Sequence, residues 1–456
     1  MLNIKELVEA TDGVLINGNE EDIPKNYIID SRNSKKGDFF VPIVGEKKDA
    51  HDFIVDCVKN EISGFFISKN NVNKENIINE SKSINKKINI IEVEDTKQAL
   101  IKAGMFNRQK NINIPVVAVT GSVGKTSTRQ IIASVLSTEK NVLVTSKNYN
   151  SDIGISIMCL LIDNQDVCVF EAGIDHFDEM DLLSEILKPD VACMTIIGTS
   201  HIGTFKTRDN IFKEKFKITN YLKEDKKLVI NFDDDKLNKI DDKKYKLYKV
   251  SQNDISNMQN NDEKITFTTK IYGKDELVTI NQIGIHNAKN ALFAIKVGEI
   301  FNISKDNIIK GISEYKNFNN RLNYKKVKNI KIIDDTYNSS FESIKVGIDT
   351  IEKINSTRKI IVFGDVFDLA DKSEEIHKDI GKYLIDKNID IALFSGDAMK
   401  STYDILKKYK ECKYFNNKQD IIDYLLNIVK EDDLIYFKAS NGMKYTDLVN
   451  EFIEKM

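Results

Sequence analysis

Val116-Val117-Ala118-Val119-Thr120-Gly121-Ser122-Val123-Gly124-Lys125-Thr126-Ser127-Thr128 opens as an apolar, β-branched run and breaks at two glycines three residues apart. It resumes with Ile131, Ile132, Val135 and Leu136 at helical spacing. The pattern predicts strand, loop and helix. In such a loop, small residues let backbone N–H groups converge on phosphate oxygens, with the positive end of the helix dipole behind them. Gly121, Ser122, Val123 and Gly124 would form the cradle and Lys125 would reach the β- and γ-phosphates. Thr126 or Ser127 would hold Mg2+ through its hydroxyl. A glycine-rich turn ahead of a helix also occurs as a plain connection between strand and helix, so the rest of the chain has to decide between the two.

The chain has 456 residues, enough for roughly two to four domains. A formal charge of −3 gives no general reason to bind nucleic acid. No apolar run approaches the ~18 to 20 residues of a membrane span. The first residues, Met1-Leu2-Asn3-Ile4-Lys5-Glu6-Leu7, lack the apolar core of a secretion signal. Cys57, Cys159, Cys168, Cys193 and Cys412 are scattered, mostly in apolar runs, and read as reduced thiols of a cytoplasmic protein.

Three α/β units are expected, over residues 1–109, 110–317 and 318–456. In the first, short strands and turns alternate around one helical stretch near 52–59, and a helix over 99–109 leads out of it. Asp30-Ser31-Arg32 follows an apolar pair. It reads either as a strand end with a surface ion pair or as an anion site, in which Ser31 and Arg32 grip a diphosphate through a hydroxyl and a planar guanidinium.

In the second unit, the apolar run 167–170 leads to Glu171-Ala172-Gly173, and the run 191–197 leads to Gly198-Thr199-Ser200-His201. Open parallel sheets bind ligands beyond the carboxyl ends of their strands, which puts Glu171 and His201 on the rim of Lys125. Glu171 would face the metal side of Mg-ATP or serve as a solvated cap. Helical spacing turns Lys215 inward with Ile211 and Ile218. Such a lysine either snorkels to the surface or is converted to a carbamate that ligates metal. Residues 231–264, rich in Asp, Lys and Asn, read as edge strands and solvated loops. Asn287 and Asn290, three apart at the start of a helix, suit an adenine edge or a helix cap.

The third unit reads as strand–helix repeats. The runs 331–333, 360–363, 391–394 and 434–437 end in Asp334-Asp335-Thr336-Tyr337-Asn338, Gly364-Asp365, Ser395-Gly396-Asp397 and Lys438-Ala439-Ser440. A helical pattern follows each, which implies a parallel sheet with one polar rim.

Taken in order, these motifs, together with Asn148-Tyr149-Asn150-Ser151-Asp152-Ile153-Gly154, Lys213-Glu214-Lys215 and Arg321-Leu322, resemble the Mur ligases of bacterial cell-wall synthesis over nearly the whole chain. The resemblance implies a small N-terminal domain for a uridine-diphosphate substrate, a central ATPase domain and a C-terminal Rossmann-like domain. Within the family it points to the branch that joins D-alanyl-D-alanine to UDP-N-acetylmuramoyl-tripeptide. That reaction uses ATP and Mg2+ and passes through an acyl phosphate. A ligase for another amine, or a nucleotide-binding homologue without catalysis, carries the same layout. Thr126, Glu171, His201 and Lys215 fall where the family places metal or phosphate ligands, with Lys215 at the position it carbamylates. Asn287, Asn290, Arg321, Asp335, Tyr337 and Asn338 fall around adenine, ribose and γ-phosphate. Ser31, Arg32, Asn150, Lys438 and Ser440 fall on the substrate side. Ser151, Asp175, Gly203 and Asn441 depart from the family pattern. The expected protein is a cytoplasmic monomer with a hinge near residues 317–320.

Overall fold

A computed structural model of the protein describes residues 1–146, 148–260, 264–316 and 321–456. Its centre is the strand Val116–Thr120, buried along its whole length. Alternate side chains of a strand point to opposite faces, and here both faces are covered. Val117 and Val119 pack with Ile131, Ile132 and Val135 of the helix Lys125–Leu136 and with Ala291 and Ala294 of the helix Ile285–Ile300. Val116 and Ala118 pack on the other side with Ile155, Met158 and Leu183, from the helices Asp152–Leu160 and Glu179–Leu187.

Six parallel strands make the central sheet, in the order Lys246–Val250, Lys227–Asn231, Val191–Met194, Val116–Thr120, Val167–Glu171, Val142–Val144. Val119 pairs with Glu171 and Thr120 with Met194, so the loops after all three strands open on one rim. The stretch 231–264 supplies edge strands, as expected: Lys246–Val250 ends the central sheet, and Ser256–Asn260 is the edge of a separate antiparallel sheet with Ile265–Ile271 and Lys274–Ile280. Ile265, Phe267, Ile271, Val278 and Ile280 drive this sheet onto the central core, and the charges stay on its outer face.

The N-terminal sheet runs Val14–Asn17, Asn89–Val93, Gly64–Ser68, Asp38–Phe40, Asn26–Ile28, with only the first pair antiparallel. The helix Thr96–Lys110 ties it to the central domain. Its Asn107 Nδ2 donates to the carbonyls of Cys159 (2.7 Å) and Ile162 (2.8 Å), which capture the loose end of the helix Asp152–Leu160.

In the C-terminal sheet the four expected strands are Ile330–Asp335, Leu434–Lys438, Lys359–Phe363 and Ile391–Ser395, all parallel. Two edge strands flank them, Asn323–Val327 antiparallel and Glu411–Phe415 parallel. The expected boundary at 317/318 and the expected hinge at 317–320 lie outside the described residues. No helix among the described residues is long and apolar enough to cross a membrane. Four of the five cysteines are buried, and all five are free thiols.

Candidate active site

The loop after Val116–Thr120 takes its shape from its glycines. Gly121 (φ +144°) and Gly124 (φ +88°) adopt conformations that side chains rarely reach. A Cβ on Gly121 would lie 2.1 Å from the Thr195 hydroxyl, so the neighbouring strand also requires glycine there. Thr195 Oγ1 donates to the Val123 carbonyl (2.6 Å), and the Ser122 N–H donates to the Ile196 carbonyl (2.6 Å). Lys125 opens the helix and folds back over the loop, donating to the Gly121 carbonyl at 2.9 Å.

Glu171 is 4% exposed, which excludes the solvated cap. Its Oε2 accepts the Thr126 hydroxyl (2.8 Å), its Oε1 accepts Asn150 Nδ2 (3.1 Å), and its N–H donates to the Thr145 hydroxyl (2.9 Å). Burial pushes its carboxyl up, but Lys125, Arg129 and Arg321 outweigh that, with a net shift below the usual range. It stays ionised among cations.

Lys215 is 0% exposed in the helix Arg208–Phe216, as the spacing predicts, and its ammonium has no hydrogen-bond partner among the described residues. Burial, then the charge of Lys125, drives its pKa well below the ordinary lysine range against the attraction of Asp175, Glu171 and Glu214. Lys213, two residues earlier, is exposed. His201 holds a left-handed backbone (φ +62°), and its Nδ1 lies 3.2 Å from Asp175 Oδ1. Burial, with Lys215 and Lys125 behind it, brings its pKa down to about 3, which leaves a neutral imidazole.

The C-terminal domain closes the rim. A cleft of ≈ 550 Å³ has Gly124, Ser127, Asn287 and Asn290 on one wall and Arg321, Asp335, Asn338 and Lys438 on the other. It continues into a pocket of ≈ 410 Å³ between the loop 122–126 and residues 338–340. Asn290 Oδ1 accepts the Thr128 hydroxyl (3.1 Å), and Asn287 Nδ2 donates to the Ile283 carbonyl (2.8 Å). Asp335 Oδ2 accepts Lys438 Nζ (2.5 Å) and the Tyr436 hydroxyl (3.0 Å). Arg321 stacks on the Tyr337 ring at 4.4 Å, and the Tyr337 hydroxyl donates to Asn148 Oδ1 across the domain boundary.

The substrate-side residues are dispersed. Asn150 stands at Glu171. Lys438 is buried in its pair with Asp335, on the wall of the cleft. Ser440 is also buried, its hydroxyl accepting the Phe367 N–H (2.9 Å). Ser31 and Arg32 lie in the N-terminal domain, in the short 3-10 turn Ser31–Asn33, where Asp30 takes Arg32 Nε and Nη2, each at 2.8 Å.

Family models match this chain over residues 119–298, as the Mur ligase middle domain, and over residues 320–441, as the Mur ligase, glutamate ligase domain. The chain is 30% identical to the UDP-N-acetylmuramoyl-tripeptide–D-alanyl-D-alanine ligase of Bacillus subtilis, an alignment that covers 99% of this chain and 98% of that enzyme. The chain belongs to the Mur ligase family. A crystal structure of MurF from Acinetobacter baumannii superposes with a TM-score of 0.86 at 26% identity, over 99% of both chains. MurF of Thermotoga maritima in complex with ADP shares the fold, with a TM-score of 0.79 at 23% identity over 94% of this chain and 97% of that one.

Within this Mur ligase, the four residues expected to depart from the family pattern each have distinct surroundings. Ser151 caps the helix Asp152–Leu160 by accepting the Gly154 N–H (3.4 Å). Asp175 stands against His201. Gly203 is pressed on the C-terminal domain, where an added Cβ would come within 2.9 Å of the Asp368 carbonyl. Asn441 opens the exposed turn Asn441–Met443. One charged residue of the site escaped the sequence reading. Arg129, 0% exposed, lies 3.4 Å from Glu171 Oε2, and none of its three nitrogens makes a hydrogen bond among the described residues. Its spacing of four from Lys125 was the available signal, since it puts both cations on one side of the helix.

Proposed function

We propose that this Mur ligase joins D-alanyl-D-alanine to UDP-N-acetylmuramoyl-tripeptide at the expense of ATP, in the cytoplasmic assembly of peptidoglycan precursors, and that it acts as a monomer. The observation that carries the reading is an excess of positive charge around one buried carboxylate. Lys125, Arg129 and Arg321 all act on Glu171, and Arg129 makes no hydrogen bond among the described residues. Three cations to one carboxylate leave net positive charge at the rim, which a polyphosphate entering between the loop and the C-terminal domain would neutralise.

In the reaction so assigned, an oxygen of the tripeptide carboxylate attacks the γ-phosphorus and ADP leaves. The amine of the dipeptide then attacks the acyl carbon, expels phosphate and loses its proton, leaving an amide. The loop N–H groups and Lys125 spread the charge of the transferring phosphoryl group, and Arg321, stacked on Tyr337, faces it from the closing domain. Asn287, Asn290 and Asp335 fit the nucleoside end of the cleft. Arg129 stays behind Glu171 and fixes the carboxylate that Thr126 and Asn150 hold in front.

Thr126, Glu171, His201 and Lys215 are the residues that would hold Mg2+, which supplies charge neutralisation on the phosphates when bound. Among the described residues, no three acidic, histidine or cysteine side chains cluster closely enough to hold a metal. The donor set fits only if Lys215 changes sign. Its orphaned buried amine, shifted toward the neutral form that adds CO2, supports a carbamate there, which offers two hard oxygens in place of a repelling ammonium.

Phosphate release from ATP by the purified protein tests the assignment. Release should require both the UDP-linked tripeptide and D-alanyl-D-alanine. A requirement for a different amine would move the chain to another branch of the family, and release with neither substrate would refute a ligase.

A further inference from the structure

The segment that carries His201 is held at both ends by the C-terminal domain. At one end stands Glu342, the second residue of the helix Phe341–Ile351. Its Oε1 accepts the backbone N–H of Thr199 (2.8 Å) and its Oε2 accepts the Thr199 hydroxyl (3.1 Å). The approach is so close that a Cβ on Gly198 would stand 2.6 Å from the Glu342 carboxyl carbon. At the other end the Gly203 N–H donates to the Asp368 carbonyl (3.2 Å), and Lys206 pairs with Asp371 at 3.0 Å. Between these anchors Ser200 donates to the Ser122 carbonyl of the phosphate loop (3.3 Å), and His201 keeps its left-handed backbone. Such a conformation is uncommon outside glycine.

We propose that Glu342 is a positioning residue of the ligase, the group through which closure of the C-terminal domain sets the backbone under Ser200 and His201. The inference rests on the assignment of ATP-dependent ligation above. Glu342 reaches Thr199 only when the two domains meet, because Thr199 lies in the loop after the central strand Val191–Met194 and Glu342 on a helix of the C-terminal domain, 143 positions away in sequence. The helix that carries it also brings Ser340 and Ser343 to the phosphate pocket. A single first turn thus faces the phosphates and grips the loop opposite. A carboxylate suits the grip, since it accepts two hydrogen bonds at once and charged acceptors make the stronger ones. In an open molecule the loop 198–203 loses both anchors, and a nucleotide bound to the central domain alone meets an unset His201. Closure would then assemble the site as well as cover it.

Turnover of Glu342→Ala should fall about 30-fold in kcat with a change of less than about threefold in KM for ATP, since the nucleotide first meets the central domain. Glu342→Gln, whose amide oxygen still accepts the Thr199 N–H, should recover most of the loss. Thr199→Val removes one of the two bonds and should cost little further in the Glu342→Ala background, because both changes act on one contact. The thermal midpoint of the ligand-free variants should match that of the parent. Small-angle scattering with a non-hydrolysable ATP analogue, Mg2+ and acceptor should show Glu342→Ala more extended than the parent. Parental kcat in Glu342→Ala, or a loss confined to KM, overturns the proposal. So does full additivity with Thr199→Val. If the parent protein ligates no amine, the assignment of ligation is what fails, and scattering alone decides the role of Glu342. An unchanged envelope then refutes it.

Discussion

The rim of the central sheet and the loop at residues 30–32 both present basic side chains to a would-be anion, and the fold treats them oppositely. Lys215 and Arg129 are fully buried and make no hydrogen bond among the described residues. Arg32 is 86% exposed and already spans both oxygens of Asp30. Burying basic groups lowers stability unless they are paired, and the rim keeps Lys215 without a hydrogen-bond partner and Arg129 with only Glu171 beside it. An exposed ion pair costs almost nothing to form or to break. The rim therefore holds basic groups that the described residues balance only in part, and the N-terminal loop balances its own.

The sharpest way to break this contrast is Lys125→Ala. Its side chain touches the loop carbonyl rather than the core, so the fold should survive. Removing the charge opposite the transferring phosphoryl group should cost about 1000-fold in kcat or more. Near-normal turnover would mean that the loop is a plain strand-to-helix connection.

Lys215→Ala comes next, with an expected loss of about 100-fold or more that a short-chain carboxylic acid restores in part by filling the vacated space. Rescue by an amine instead would show that the ammonium, not a carbamate, is the working form. Mass analysis under conditions that preserve carbamates should find added mass on Lys215 of the parent. Full activity after exhaustive removal of bicarbonate would refute the modification.

How much of this was legible follows from what each feature depends on. The glycine loop after Val116–Thr120 shows in sequence because two glycines three apart answer a backbone requirement that no other residue meets cheaply. Glu171 and His201 show because parallel strands carry their polar ends to one rim, and Lys215 because a period of 3.6 turns it toward Ile211 and Ile218. Arg129 did not show. It precedes the apolar stripe Ile131, Ile132, Val135 and Leu136, and a cation beside such a stripe ordinarily reaches solvent. The antiparallel sheet was hidden by composition: Ile265, Phe267, Thr269 and Ile271 alternate at period two, inside a stretch crowded with Lys, Asp and Glu. The edge strands Asn323–Val327 and Glu411–Phe415 are half-buried and charged, the usual dress of an edge. The grip of Glu342 on Thr199 is purely tertiary, and nothing local in either segment announces it.

Arg129→Met tests the support behind Glu171. An apolar side chain of similar length takes away the cation 3.4 Å from a buried carboxylate, so the thermal midpoint of the ligand-free protein should fall. Turnover should fall about 10-fold, because Glu171 loses the charge that fixes it from behind. A lowered midpoint with unchanged turnover would make Arg129 an ordinary element of the core.

The smallest effect is expected at residues 30–32, and it decides whether the contrast between the two regions persists in the bound state. If Arg32 exchanges Asp30 for the diphosphate of the acceptor, Arg32→Ala should raise the acceptor KM about fivefold to tenfold and leave kcat unchanged, the signature of binding lost equally in ground and transition states. Asp30→Asn then acts in the opposite sense. It weakens the competing partner and leaves the guanidinium to the substrate, so KM should fall by about twofold. Neither change should move the thermal midpoint, because Arg32 lies in solvent and the turn keeps the Ser34 N–H to Ser31 carbonyl bond (3.2 Å). If KM is the same in both variants and the parent, Asp30 and Arg32 are a surface ion pair and the uridine diphosphate is held elsewhere in the N-terminal domain. A rise in KM for both would mean that Asp30 serves the site by aiming Arg32, and that the pair enters the complex unbroken.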